Sequence, residues 1–270
     1  MSLGIGASDV TVVIPTFNRS KFLRDAVKSC LRQTVPCKII VVDHGSSDDT
    51  PEVARSFGGD IDYVRRDVDS GPEFAWIDGL LRTTTKYAKI LHDDDWLEPD
   101  FLRQGLLALT EDCAFVISNA SIVDENGAYI RPAVEEGLSE VMSQKTARAT
   151  KRMSKRLFSP SQMLFRTADL LDGMFVGVLP FQRHAYFGAG PDHFMKLLAM
   201  TRYPKWAYIP EELVSFRAHL GSITVNATTN DSWDQELNLT YRDVHDHYRM
   251  LRLLQRLRVR SVYQFGHAAV

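Results

Sequence analysis

Three consecutive carboxylates, Asp93-Asp94-Asp95, close the apolar run Ile90-Leu91, with His92 just before them and Trp96 just after. Like charges this crowded raise one another's pKa and oppose folding unless a cation offsets them. Oxygen ligands suit Mg²⁺ or Mn²⁺, and such an ion bridging a diphosphate would offset the charge that gathers on a leaving group. The plainer alternative is an exposed acidic turn ahead of the helix that follows Pro99. A second carboxylate, Asp43, ends the run Ile39-Ile40-Val41-Val42 and is followed by His44-Gly45-Ser46-Ser47. It would accept hydrogen bonds from a base or ribose, or serve only as a turn former. The first apolar run ends in Pro15-Thr16-Phe17-Asn18-Arg19, a rigid loop suited to wall a nucleotide pocket, with Arg19 placed to pair with phosphate. An ordinary strand-to-helix turn explains the same five residues.

Residues of these types need elements that carry them to one place. Val10–Ile14 and Ile39–Val42 are short β-branched runs bounded by turn residues, as buried parallel strands are. Between them Ser20 can cap a helix whose apolar positions Phe22, Leu23, Ala26, Val27 and Leu31 recur at helical spacing. Asp48 or Asp49 opens a short helix to Phe57, Ile61–Val64 is a third strand, Pro72 starts a helix to Leu81, and Tyr87–Leu91 is a fourth strand. This alternation predicts an α/β fold with a doubly wound, mostly parallel sheet flanked by helices. The ligand crevice of such a sheet lies at the carboxyl ends of its strands, where each of the motifs above falls.

Farther along, the pattern predicts a helix from Asp100 to Leu109, a strand over Phe115–Ser118 and a turn at Asp124-Glu125-Asn126-Gly127. Helices are expected at Gly190–Met200 and Asn238–Leu257, with a strand at Trp206–Ile209 between them. Residues 134–160 have little apolar periodicity and carry Lys145, Arg148, Lys151, Arg152, Lys155 and Arg156, which reads as a mobile surface segment, a lid or an anionic-acceptor dock. The long last helix pairs an apolar stripe (Tyr248, Leu251, Leu254, Leu257) with Arg249, Arg252, Arg256, Arg258 and Arg260. Such a helix suits an anionic membrane surface, packing against the main domain, or a homodimer contact.

The 270 residues carry 32 Lys and Arg against 34 Asp and Glu, a net charge of -2 that argues against whole-surface binding of nucleic acid. Three cysteines without metal-ligand spacing and the lack of a signal-like amino-terminal run point to a cytoplasmic protein, with peripheral attachment to the inner face of the membrane compatible.

The motifs together resemble family 2 glycosyltransferases, inverting enzymes of the GT-A fold. Their opening strand reads like Val12-Val13-Ile14-Pro15-Thr16-Phe17-Asn18-Arg19, their second like Ile39–Asp43, and their fourth ends in a DxD-type motif that falls here on His92, Asp93 and Asp94, with Asp95 beside it. The resemblance covers residues 9 to 125 well and 185 to 225 more loosely. It implies a GT-A catalytic domain over residues 1–225, divided into a nucleotide-sugar half (1–125) and an acceptor half (126–225), with a helical extension over 226–270. It further implies a nucleoside-diphosphate sugar of the UDP, GDP or dTDP type as donor and a saccharide or lipid-linked acceptor. Pro15, Thr16, Phe17, Asn18, Arg19, Asp43 and Asp93 then fall in the donor site, and Asp94 with Asp95 on Mn²⁺ or Mg²⁺. This chain departs from the usual pattern at His92, at His44, and across Asp69-Ser70-Gly71-Pro72 to Asp78-Gly79, where many relatives carry Asn and Arg.

Inverting transfer is a single displacement, so an acceptor hydroxyl must lose its proton to a nearby carboxylate. By resemblance that base is Asp192 in Gly188-Ala189-Gly190-Pro191-Asp192-His193-Phe194, although Asp before a helix is also a routine cap. Phe216-Arg217-Ala218-His219-Leu220-Gly221-Ser222 resembles the family's Arg-x-His-x-x-Ser segment, which makes His219 a metal or diphosphate contact and Arg217 a donor contact. Two other activities share parts of this pattern. A sugar nucleotidylyltransferase wants a Gly-rich, Lys/Arg-containing loop after the first strand, which Pro15–Arg19 does not supply, and a non-catalytic binding module would show no activity for Asp192→Asn to abolish.

Overall fold

A computed structural model of the chain describes residues 9–133, 141–143, 159–174, 191–219 and 231–256. The first hundred residues alternate as expected: β1 (Val10–Thr16), α1 (Ser20–Leu31), β2 (Lys38–His44), α2 (Thr50–Arg55), β3 (Asp62–Arg66), α3 (Pro72–Leu81), β4 (Tyr87–Ile90). In β1, Val10–Ile14 is buried without interruption, as a strand covered on both faces requires. Helix α1 buries Phe22, Leu23, Ala26, Val27 and Cys30 on one stripe, while Leu31 is exposed. The Ser20 side chain does not cap it; instead the Ser20 N–H donates to Asp48 Oδ2, 3.1 Å away, on the loop after β2. Helix α3 begins at Pro72, as expected for a residue that has no N–H to satisfy there. Its Gly79 lies flat against the sheet, since a Cβ there would stand 2.3 Å from a Val13 methyl.

The remaining elements are β5 (Trp96–Leu97), α4 (Phe101–Ala108), β6 (Cys113–Val123), β7 (Tyr129–Pro132), β8 (Val141–Ser143), a 3₁₀ turn (Pro160–Gln162), β9 (Met163–Arg166), α5 (Thr167–Asp172), α6 (Pro191–Arg202), β10 (Lys205–Arg217) and α7 (Asp231–Arg256). Strand order is β3-β2-β1-β4-β9-β6-β10-β5, with β7 on β6 and β8 on β10. The sheet is parallel from β3 to β4, as the alternation predicts, but mixed overall. Strand β9 enters antiparallel between β4 and β6, and β6 runs parallel to β10. The antiparallel insertion has no signature in the short run Met163–Arg166, whose place is set by open edges on both sides.

Two strands are much longer than their apolar runs suggest. The expected strand at Phe115–Ser118 extends to Val123 because its polar end, Asn119-Ala120-Ser121, is paired by β7 and β10, and Ser121 donates to Glu212 at 2.6 Å. The expected strand at Trp206–Ile209 continues to Arg217 through register shifts around Glu212, next to the exposed Pro210-Glu211 break in the apolar pattern. The turn at Asp124–Gly127 is as predicted, closed by Asp124 Oδ1 on the Ala128 N–H (2.8 Å) and by Gly127 at φ 90°.

Two apolar layers sandwich the sheet. One gathers α1, α2 and α4 residues such as Leu23, Ala54 and Leu102; the other gathers Trp76, Leu170, Phe194, Met195 and Leu198 with Val244 and Leu251 of α7. The stripe expected on the last helix is therefore partly spent inside this chain: Leu251 is buried and Tyr248 packs against the core. Leu257, Arg258 and Arg260 lie outside the described residues, as does the Lys145–Arg156 stretch. Among the described residues no helix is long and apolar enough to cross a membrane.

Candidate active site

The motifs meet at the carboxyl ends of β1, β2 and β4. The loops after β1 and β2 are knitted into one unit: Asn18 N–H donates to Ser46 Oγ (2.9 Å), Ser47 N–H to Asn18 Oδ1 (2.8 Å), and Arg19 N–H to Thr50 Oγ1 (3.1 Å). Asn18 sits at φ 53°, the left-handed region that Asn tolerates better than most residues. Thr16 is buried, whereas Phe17 is 42% exposed at the loop's crest.

Asp43 is fully buried, its Oδ1 accepting the Ser46 N–H (2.9 Å) and its Oδ2 taking Tyr63 (2.6 Å) and Arg65 (2.8 Å). The carboxylate thus holds the β2 and β3 ends together, and Arg65, which also donates to the Ser46 carbonyl (2.9 Å), carries its charge toward the surface. Gly45 admits backbone: a Cβ there would lie 2.9 Å from the Asp67 carbonyl oxygen. His44 is buried 3.5 Å from Asp78, and Asp78 also pairs with Arg66.

The three aspartates are in three different environments. Burial and the charge of Asp94 push Asp93 up to about 7, although Arg19, Thr16 and the Phe17 N–H favour its ionised form. Asp95 is raised well above its usual range by burial and by Asp94, with Ser161 and the Arg217 N–H opposing the rise. Asp94 goes the other way: burial disfavours its charge, but His219, His92 and Arg19 outweigh that and draw it down to about 2. The run therefore concentrates its negative charge on Asp94.

That charge is gripped from both ends of the chain. Arg19 Nη1 lies 2.9 Å from Asp94 Oδ2, and His219 Nε2 lies 3.0 Å from the same oxygen. Arg19 Nη1 and His219 Nε2 are 3.1 Å apart, but one nitrogen cannot both accept from Arg19 and donate to Asp94. The carboxylate is the stronger acceptor, so both groups donate hydrogen bonds to Asp94. His219, expected on a metal, is thereby placed as the group that orients Asp94.

Arg217 differs in a similar way from the donor contact expected of it. Its guanidinium lies between the rings of Phe22 and Trp96, 4.9 and 4.8 Å from their centroids. Its N–H groups reach the Asp94 carbonyl (3.3 Å), the Glu125 carbonyl (2.7 Å) and Asp25 (2.8 Å). This is a strut beneath the acidic loop, with two aromatic rings packed on the cation.

His92 is the residue that sequence reasoning missed. With Asp94 and Asp95 it offers ligand atoms within 4.8 Å of one another, a mixed imidazole and carboxylate set that fits a divalent cation. Its ring runs nearly parallel to that of Trp76, 6.0 Å away at 17°. Burial lowers its pKa, against the opposing fields of Asp94 and Asp192. The signal was present in the sequence, because His92 stands where a first carboxylate is usual.

Comparison with known proteins agrees with this geometry. Residues 11–172 match the model of glycosyl transferase family 2. A Campylobacter jejuni GalNAc(5)-diNAcBac-PP-undecaprenol beta-1,3-glucosyltransferase is 30% identical over 136 residues, 48% of this chain and 44% of that protein. An uncharacterized glycosyltransferase of Rickettsia prowazekii is 35% identical over 103 residues, 38% of this chain and 32% of the relative. The matched region thus spans less than half the length of either relative. Among solved structures, S. aureus TarS in complex with UDP-GlcNAc superposes with a TM-score of 0.63 at 16% identity, covering 79% of this chain and 60% of TarS. The mannosyltransferase PcManGT of Pyrobaculum calidifontis, with GDP-Man and Mn²⁺, gives 0.54 at 16% identity over 95% and 82% of the two chains. The fold is that of the GT-A glycosyltransferases. The chain belongs to glycosyl transferase family 2.

Proposed function

We propose that this glycosyltransferase moves a sugar, with inversion, from a nucleoside-diphosphate donor to an acceptor hydroxyl in the synthesis of a cell-envelope polysaccharide or glycolipid. The observation that carries the reading is the cluster at the carboxyl end of β4, where His92, Asp94 and Asp95 offer ligand atoms within 4.8 Å of one another. Asp192 receives the proton of the attacking hydroxyl as the bond to the anomeric carbon forms and the bond to the nucleoside diphosphate breaks. His92, Asp94 and Asp95 would hold a divalent cation, and when bound it supplies positive charge to the departing diphosphate. Phe17 and the backbone of Asn18 wall the nucleoside, Asp93 meets the ribose or sugar, and Asp43 fixes the floor from which Arg65 reaches a base. The catalytic unit comprises residues 1–225, with α7 as a docked extension. A lipid-linked acceptor is favoured by the PP-undecaprenol substrate in the name of the Campylobacter relative. The exposed side of α7, with Arg249, Met250 and Leu253, is the part of that helix left for a membrane surface or a second copy.

Isothermal titration with UDP, GDP and dTDP, each with and without Mn²⁺, tests the reading. One diphosphate is expected to bind at least tenfold more tightly with the metal, a gain of about 1.4 kcal/mol. Metal-independent binding, or none for every nucleotide, would overturn it.

A further inference from the structure

The acidic loop is braced from a direction that neither the donor loops nor β10 supply. The short turn Pro160–Gln162 comes to the end of β4 just before the chain enters β9. It is built to hold its shape: Ser159 Oγ accepts the Ser161 N–H (3.2 Å), and Gln162 Oε1 accepts the Ser159 N–H (3.2 Å). Gln162 then donates through Nε2 to the Ser118 carbonyl of β6, 2.9 Å away, and is fully buried. At the turn's centre Ser161, also fully buried, faces the loop with both of its oxygens. Its carbonyl accepts the Lys89 ammonium at 2.7 Å, and its Oγ accepts the His92 N–H at 3.0 Å. Ser161 also favours the ionised form of the neighbouring Asp95. Lys89 has no exposed surface and lies 3.6 Å from the Phe101 ring centroid, so its direction is fixed by packing as well as by the carbonyl.

A serine hydroxyl has one donor and two acceptor sites, so a single side chain can fix the backbone of His92 and the carboxylate of Asp95 together. These are two of the three residues that offer ligand atoms to a cation. We propose that Ser161, held by Lys89, is the positioning residue that sets the spacing of the His92 and Asp95 ligand atoms. Groups that orient metal ligands in this way typically alter metal affinity 10- to 100-fold when removed. The inference rests on the reading of this loop as a cation site, and its test separates the two.

Mn²⁺ binding in the presence of the tightest nucleoside diphosphate is measured by titration for the wild type, Ser161→Ala and Ser161→Cys. Exchange of the His92 amide hydrogen is followed in the same proteins. Ser161→Ala is expected to weaken Mn²⁺ by at least tenfold and to speed His92 exchange, while metal-free nucleotide affinity stays within twofold. Ser161→Cys keeps the shape with a weaker acceptor, so an intermediate loss is expected, and it carries the test if the alanine protein does not fold. Unchanged Mn²⁺ affinity and unchanged His92 exchange would overturn the proposal. So would equal weakening of metal-free nucleotide binding, the mark of general damage to the pocket. If the wild type binds no Mn²⁺ with any diphosphate, the cation reading fails, and His92 exchange alone decides whether Ser161 positions the loop.

Discussion

The two halves of the sheet build their parts of the site by different means. From β1 to β4 each functional residue sits at the carboxyl end of its own strand or on the turn that directly follows it, so Asn18, Asp43 and Asp94 are placed by their neighbours in sequence. From β6 onward placement is long-range: His219 reaches Asp94 across 125 positions and Arg217 reaches the same loop across 123. The first half offers a crevice at strand ends, and the second supplies the groups that give its charges a direction. A local motif is sufficient to hold a ligand; orienting Asp94 takes contacts that only the complete sheet can bring.

The sharpest way to break this comparison is to remove one acid from each half. Asp94→Asn and Asp192→Asn are each expected to lower kcat on the order of a thousandfold in a donor-consumption assay. Because groups that act as a unit are strongly non-additive, the double variant should fall little below either single one. Multiplying losses would mean that the halves act independently. A smaller effect tests the strut. Arg217→Lys keeps the charge but loses the planar fork between Phe22 and Trp96, and should lower kcat about 10- to 100-fold. If the acidic loop were self-sufficient, this change would be silent.

The smallest effect concerns Lys89, at the join between the halves. Burial lowers its pKa from 10.5 to about 7, so above pH 7 the folded chain loses a proton that the unfolded chain retains. Its contribution to stability must then rise with pH across that window. Urea denaturation at pH 7.0 and pH 8.5 should show the wild type gaining stability relative to Lys89→Met. Stopping at pH 8.5 limits the opposite effect of Cys30 and Cys37, whose thiols burial pushes up. Lys196, lowered by burial to about 8, acts with the same sign in both proteins and cancels in the comparison.

Legibility in the sequence follows the same division. The helix from Pro72 to Leu81 and the strands ending at Thr16 and His44 are visible because burial on both faces favours apolar runs and a proline or glycine marks a boundary, and the strand ending at Ile90 keeps the apolar pattern apart from Lys89. The three donor-side motifs are legible for the same reason. The residues of Cys113–Val123 and Lys205–Arg217 that extend beyond their apolar runs are strand only because partners exist on each side, and polar residues such as Ser121 and Glu212 answer one another there. Arg217 and His219 are visible as candidates, but their roles are not. That Arg217 packs on two rings and that His219 donates a hydrogen bond to Asp94 depend on Phe22, Trp96 and Arg19, none of which is near them in sequence. His92 is the reverse case, a local departure from the usual carboxylate whose meaning needed its ligand atom beside those of Asp94 and Asp95.

The antiparallel entry of β9 also has a consequence in time. Ala88 pairs with Phe165 and Val116 with Leu164, contacts between segments separated by 77 and 48 positions, so the chain must close long loops before either pairing is rewarded. Until that happens β4 and β6 each present an open edge, and the turn carrying Ser161 has nothing to clamp. The nucleotide half can assemble early from its own neighbours, but the acidic loop takes its working shape only at the step that closes the sheet.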